Sequence, residues 1–304
     1  MPTLQRRTLL AAAALLPVAA ALPCGAQPAA PQQRRFPRTS EPLPLVGLGT
    51  WITFNVGDDP AGRADSTAVM RAFFEAGGRL IDSSPMYGSA QAVVGHGLRQ
   101  LGHPRQLFAA DKVWTGSDAS RDAQIEASRR AWDVPRFDLL QVHNLLAWEA
   151  HLPALLRLRE QGRLRHVGIT TSEGRRHGDF ERIMARQPID TVQLTYNLLD
   201  REAEQRLLPL AAERGIAVIV NRPFQQGGLL RRLARHPLPE WARAQGMNSW
   251  AQYALKFVIS HPAVTCAIPA TSRVDHVREN LACAAGALPD AALRERMAAH
   301  VRSL

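Results

Sequence analysis

Four short apolar runs in this chain stop at a polar or ionisable side chain. Residues 79–88 (RLIDSSPMYG) reach Asp82, 106–112 (QLFAADK) reach Lys112, 137–143 (FDLLQVH) reach His143 and 190–193 (DTVQ) reach Gln193. Runs of this length, separated by segments of helical periodicity, suit parallel strands covered on both faces. Parallel strands need long crossover connections, so the chain is constrained to an α/β architecture. If the strands close into a barrel, the four side chains leave by the same C-terminal rim, where barrel enzymes keep their chemistry. Tyr87, on the Pro-containing loop after Asp82, would lean over that mouth.

In chain order the pattern predicts strands at 43–50, 80–82, 107–112, 139–143, 166–170, 191–194, 217–220 and 264–268. Helices are expected at 65–76, 90–101, 120–132, 148–161, 180–186, 201–214, 249–260 and 274–285, with Gly77-Gly78 and Gly162 as stops. Eight strand-then-helix units make one (β/α)8 TIM barrel over 42–304, with no element left over. The competitor is a doubly wound open sheet, whose fingerprint needs three spaced glycines. Gly47-Leu48-Gly49 supplies only two.

The N-terminus has a different character. Arg6-Arg7, an Ala/Leu run interrupted by Pro17, and small residues near Gly25 and Ala26 read as a signal peptide over 1–26. The run is too short for a stable membrane span. The arginine pair points to the twin-arginine export machinery of a bacterium and to a periplasmic location; the chain is cytoplasmic if the leader is misread. Pro23 spoils Cys24 as a lipid-attachment site, and residues 27–41, rich in Pro, Gln and Arg, read as a disordered lead-in. Export permits a disulfide between Cys266 and Cys283, but two buried free thiols fit their places on a strand and the next helix better.

The formal charge of +10 comes from 37 Lys+Arg against 27 Asp+Glu, scattered along the chain rather than gathered in a stripe. That argues against nucleic acid as a partner. Only two of the cations are lysines, Lys112 and Lys256. A chain that otherwise uses arginine keeps an ammonium group at a strand end, where a compact, tunable charge is useful.

A carboxylate, a phenol, an ammonium and an imidazole at one mouth each have a role in reducing a carbonyl. The Tyr87 phenol gives a proton more readily beside a cation, which Lys112 supplies and Asp82 aims. His143 can hydrogen-bond a substrate carbonyl where negative charge develops. No side chain donates hydride, and a nicotinamide is the usual source.

These residues resemble the aldo-keto reductase family. The motif Ile81-Asp82-Ser83-Ser84-Pro85-Met86-Tyr87-Gly88 is similar to its Asp/Tyr signature, and Lys112 and His143 follow at the spacing of its catalytic tetrad. The likeness runs on through Gly168-Ile169-Thr170-Thr171, Gln193-Leu194-Thr195-Tyr196-Asn197 and Ile268-Pro269-Ala270-Thr271-Ser272-Arg273 to Glu279-Asn280. It implies that Tyr87 is the general acid, with Lys112 and Asp82 tuning it and His143 orienting the carbonyl. It also implies that Gln193 and Thr171 meet the nicotinamide carboxamide, and that Thr271, Ser272, Arg273, Glu279 and Asn280 form the adenosine-phosphate site. A guanidinium at Arg273 suits a 2′-phosphate, which favours NADPH over NADH. Gln226 and Gly227 stand where barrels bind phosphate.

Two positions depart from the family. Thr170-Thr171 replace a common Ser-Asn pair, and Asn221-Arg222 stand where an aromatic ring usually stacks on the nicotinamide. Arg222 is expected to compensate by reaching a phosphate or a substrate carboxylate. Besides a reductase acting on a small-molecule carbonyl, two readings stay open: a non-catalytic, redox-sensing NADPH binder, and a Schiff-base aldolase using Lys112. Trp51, Trp114, residues 145–148 and Phe224 suggest a partly apolar substrate pocket.

Overall fold

The computed structural model describes residues 31–304; the signal peptide expected over 1–26 and the first residues of the expected lead-in lie outside the described residues. A hairpin of β1 (Gln33–Arg35) and β2 (Pro42–Pro44) comes first. Eight parallel strands follow: β3 (Leu48–Gly49), β4 (Leu80–Asp82), β5 (Phe108–Val113), β6 (Leu139–Val142), β7 (His166–Thr170), β8 (Thr191–Thr195), β9 (Ala217–Asn221) and β10 (Val264–Ala267). Each pairs with the next, and parallel bridges Val46↔Ala267 and Gly49↔Ala270 close the ring. The expected (β/α)8 barrel is therefore present.

Between the strands run α1 (Pro60–Glu75), α2 (Ala90–Gln100), α3 (Asp118–Trp132), α4 (Trp148–Glu160), α5 (His177–Arg186) and α6 (Leu207–Arg214). After β9 come α7 (Gly228–Leu233), α8 (Glu240–Ala244) and α9 (Trp250–Ile259), and after β10 come α10 (Val274–Ala282) and α11 (Ala291–Arg302). Local chemistry sets several starts. Asp59 accepts from Gly62 N at 2.8 Å to begin α1, and Asp290 accepts from Leu293 N at 2.8 Å to begin α11.

Period-two alternation decides which side chains enter the barrel. Leu80, Phe108, Ala110, Leu139, Ala217, Ile219 and Cys266 belong to the inner cluster, while Ile81, Ala109, Leu140 and Val218 pack in the outer one, which the helices share. Continuing the inner series to the strand ends brings Asp82, Lys112 and His143 to the rim. Gly168 is required by crowding: a Cβ there would lie 2.0 Å from Thr191 Oγ1. Cys266 and Cys283 are buried free thiols, as expected.

Three expectations are corrected. The lead-in is ordered from Gln33, because Phe36 (2% exposed) plugs the barrel floor and stacks on His166 at 4.4 Å. One aromatic anchor outweighs a disorder-like composition. The first predicted strand, 43–50, divides between hairpin and barrel, since Pro42 and Pro44 lack N–H donors and suit a hairpin edge. The hairpin and helices α7, α8 and α11 are additional to the eight units; α11 buries Met297, Ala298 and Val301 and accepts the Tyr253 hydroxyl at Met297 O, 2.9 Å.

Candidate active site

The strand ends bring the tetrad together. Lys112, at the inner face of β5, is fully buried; Nζ donates to Asp82 Oδ1 and, at 2.8 Å, to Ser83 O. Asp82 Oδ2 accepts from Gln193 Nε2 at 2.9 Å and from Gln141 Nε2 at 3.4 Å, so the carboxylate is held by three strands besides its own. The Tyr87 ring lies over the ammonium, 5.0 Å from its centroid to Nζ, and meets the His143 ring edge-on at 5.8 Å. Gly88, at φ +62°, turns the chain after Tyr87, and a Cβ there would strike Asn55 Oδ1 at 2.3 Å.

These contacts set the proton states. Burial would strip Lys112 of its proton, but Asp82 and Tyr87 hold its pKa above the usual lysine value. Burial raises the Tyr87 phenol; Lys112 pulls it down and Asp82 pushes it up, and it stays above its ordinary value, protonated at neutral pH. Burial and the nearby Lys112 charge push His143 down to about 3, leaving a neutral imidazole. The rim therefore offers a phenol to give a proton, a fixed cation to stabilise the phenolate, and a neutral donor or acceptor ring.

From this cluster a trough of about 520 Å³ crosses the rim. Its lining includes Tyr87, His143, Thr171 and Gln193, then Arg222, Gln226 and Gly227 at and after the end of β9, and Thr271, Glu279 and Asn280 after β10. Its size falls in the range of small-molecule and cofactor sites. Several predicted groups carry other bonds: the Thr171 hydroxyl donates to Arg175 O at 2.8 Å, and Arg222 Nη1 to Glu173 Oε1 at 2.9 Å. Glu279 Oε1 accepts from Ser249 Oγ at 2.5 Å. Asn221 is tied between Thr195 Oγ1 (2.7 Å) and Thr171 O (2.8 Å), knitting three strand ends at the position where the family commonly carries a stacking ring.

Ser272 and Arg273 are not brought into the trough lining. Both are exposed, and Arg273 is turned onto Asp275, with Nε to Oδ1 at 3.0 Å. His276 lines the trough instead, within 3.4 Å of Thr271 Oγ1. Its spacing of three and four residues before Glu279 and Asn280 was the available signal, since such positions share a helix face. Of the predicted substrate-pocket aromatics, Trp51 and Phe224 line the trough; Trp114 stands outside it, 42% exposed. Ile52 and Met86, not singled out in the sequence, add apolar surface beside Tyr87.

Comparison with known proteins gives the lineage. The sequence profile of the aldo/keto reductase family matches residues 45–298. A methylglyoxal reductase of Escherichia coli K12 is 32% identical over 248 residues, covering 79% of this chain and 85% of its own. An NADH-specific methylglyoxal reductase of the same organism is 26% identical over 254 residues, covering 71% and 74%. The crystal structure of an aldo/keto reductase from Klebsiella pneumoniae in complex with NADP and acetate superposes with a TM-score of 0.75 at 26% identity, covering 88% of this chain and 95% of that one.

Proposed function

The chain belongs to the aldo/keto reductase family, and on that premise we propose that it reduces an aldehyde or ketone with NADPH, using Tyr87 as the general acid. The observation that carries this is the convergence of Asp82, Tyr87, Lys112 and His143 beside a trough whose lining also includes Thr271, Glu279 and Asn280.

A reduced nicotinamide, when bound, supplies the hydride. Gln193 fits its carboxamide: Nε2 is committed to Asp82, and Oε1 remains to accept an amide proton. Gln226 and Gly227 line the trough in the loop after β9, where barrels often bind phosphate, and Arg222 beside them would reach that anion by exchanging Glu173 for it. As charge builds on the substrate oxygen, His143 donates a hydrogen bond and Tyr87 transfers its proton. Lys112, aimed by Asp82, stabilises the phenolate left behind until solvent returns the proton.

NADPH rather than NADH is favoured by Arg273. Its partner Asp275 is as exposed as itself, and a surface pair of this kind exchanges readily for a doubly charged 2′-phosphate. A wall of Trp51, Ile52, Met86 and Phe224 suits a carbonyl with a small apolar or aromatic substituent.

The aldolase alternative fits poorly, because Lys112 is kept as a buried ammonium with two acceptors and has no free lone pair. The binder alternative leaves the tetrad without a role. Fluorescence titration with NADPH and NADH, followed by turnover of methylglyoxal and benzaldehyde, tests the proposal. Tight NADPH binding with turnover is expected; binding without turnover of any carbonyl supports the sensor, and borohydride trapping on Lys112 supports the aldolase.

Arg6-Arg7 and the apolar stretch behind it support export by the twin-arginine route, which suits a protein that folds around its cofactor before transport. Among the described residues no helix is long and apolar enough to cross a membrane. Cell fractionation decides: recovery in the periplasm is expected, and a purely cytoplasmic protein that keeps its leader overturns this.

A further inference from the structure

The neutral His143 ring carries one proton, and its two nitrogens are not equivalent. If the proton is on Nε2, the ring donates toward a carbonyl oxygen in the trough; if it is on Nδ1, a lone pair faces that oxygen and repels it. Something must choose. Ser84, fully buried on the turn between Asp82 and Tyr87, lies with its hydroxyl oxygen 2.8 Å from Nδ1.

The hydrogen bonds around Ser84 decide which atom donates. Met86 N donates to Ser84 Oγ at 3.2 Å, so the oxygen already acts as an acceptor. Among the described residues the only acceptor within reach of its hydroxyl proton is His143 Nδ1. A buried hydroxyl seldom leaves its proton unbonded. Nε2, by contrast, has no hydrogen-bond partner among the described residues, on a ring that lines the trough.

We propose that Ser84 is a positioning residue: its hydroxyl donates to Nδ1 and locks His143 as the Nε2–H tautomer, aimed at the substrate carbonyl. The inference rests on the carbonyl-reductase reading for its purpose and on the Met86–Ser84–His143 chain for its geometry. Ser84 touches neither substrate nor cofactor, and acts only through the imidazole.

The test is nitrogen NMR of the full protein with NADP⁺ bound and its histidines ¹⁵N-labelled at the ring, His143 being assigned by the signal lost in His143→Gln. In the wild type, Nδ1 is expected to resonate as an unprotonated acceptor and Nε2 as a protonated donor from pH 5 to 8. In Ser84→Ala the two signals move toward each other as the tautomers mix, and kcat for benzaldehyde falls by up to about tenfold, less than the roughly hundredfold or more that follows outright loss of an aimed donor. The Kd for NADPH and the melting temperature change little.

A protonated Nδ1 in the wild type overturns the proposal, with no variant needed. So does a Ser84→Ala protein whose ring signals and kcat match the wild type. Absence of turnover of any carbonyl by the wild type breaks the reductase reading and leaves the tautomer result standing, so the two failures are distinguishable.

Discussion

The site has a lysine–aspartate pair at its buried inner end, beneath the trough, and an arginine–aspartate pair at its exposed outer end, off the trough lining, and they differ in almost everything but charge. Lys112 and Asp82 are 0% and 2% exposed, held by β4, β5 and two further strands; Arg273 and Asp275 are 63% and 61% exposed at the start of α10. A buried pair is costly to assemble, and removing one partner strands the other charge in a low-dielectric site. An exposed pair is held loosely by solvent and is free to trade its carboxylate for a ligand anion. On the proposed reading, the reacting end is finished before the cofactor arrives, while the recognising end is completed by it.

Lys112→Met strains this contrast most. With Asp82 left unpaired, stability is expected to fall by about 3–5 kcal/mol in urea melts, and turnover by at least about a hundredfold. Adding Asp82→Asn to the same protein should recover much of the stability and none of the turnover. Recovery of both would mean that the pair serves only the fold.

Asp111 sharpens the comparison from behind the same strand. It is fully buried on the outer face of β5, accepting from Lys112 N and from Gln91 Nε2 at 2.7 Å each, and burial pushes it up to about 7. Its folded pKa lies above the unfolded one, so its stabilising contribution is complete below pH 4 and is lost as pH rises through about 7. Asp111→Asn should therefore gain on the wild type between pH 5 and pH 8, by on the order of 2–3 kcal/mol. A gap independent of pH would show that the carboxyl is already charged at pH 5.

The outer end responds more gently. Arg273→Ala is expected to raise the Kd for NADPH about tenfold while leaving that for NADH unchanged, in proportion to one lost charged contact. An equal change for both cofactors would remove Arg273 from 2′-phosphate recognition. Smaller still, Arg222→Ala should weaken both cofactors by roughly three- to fivefold, since the Glu173 contact it gives up is half-exposed. Unchanged affinity and substrate range would leave Arg222 a loop tie only.

The sequence exposed the inner end more fully than the outer one, for a physical reason. Asp82, Lys112, His143 and Gln193 close apolar runs on strands, where an alternation of two fixes the facing of each side chain once the barrel closes. Ser272 and Arg273 lie on a turn, where no periodicity dictates direction, and the carboxylate of Asp275 two residues on competes for the guanidinium. His276 was legible from its helical spacing to Glu279 and Asn280. Asn221 was seen as a missing ring, but its bonds to Thr195 and Thr171 depend on three strand ends meeting. Helix α11 has a cap at Asp290 and sound helix formers, yet a count of eight units left no place for it. The Phe36 plug needed the barrel floor to be known before one aromatic could be given a socket.

The central claim is that the Tyr87 hydroxyl, beside the Lys112 ammonium, gives the proton to the substrate oxygen. Single-turnover oxidation of bound NADPH by a saturating aldehyde, followed by stopped-flow absorbance in the wild type and in Tyr87→Phe, tests it directly. The account predicts that the variant binds NADPH as the wild type does and loses about a hundredfold or more of the single-turnover rate. An equal rate in the two proteins would contradict it.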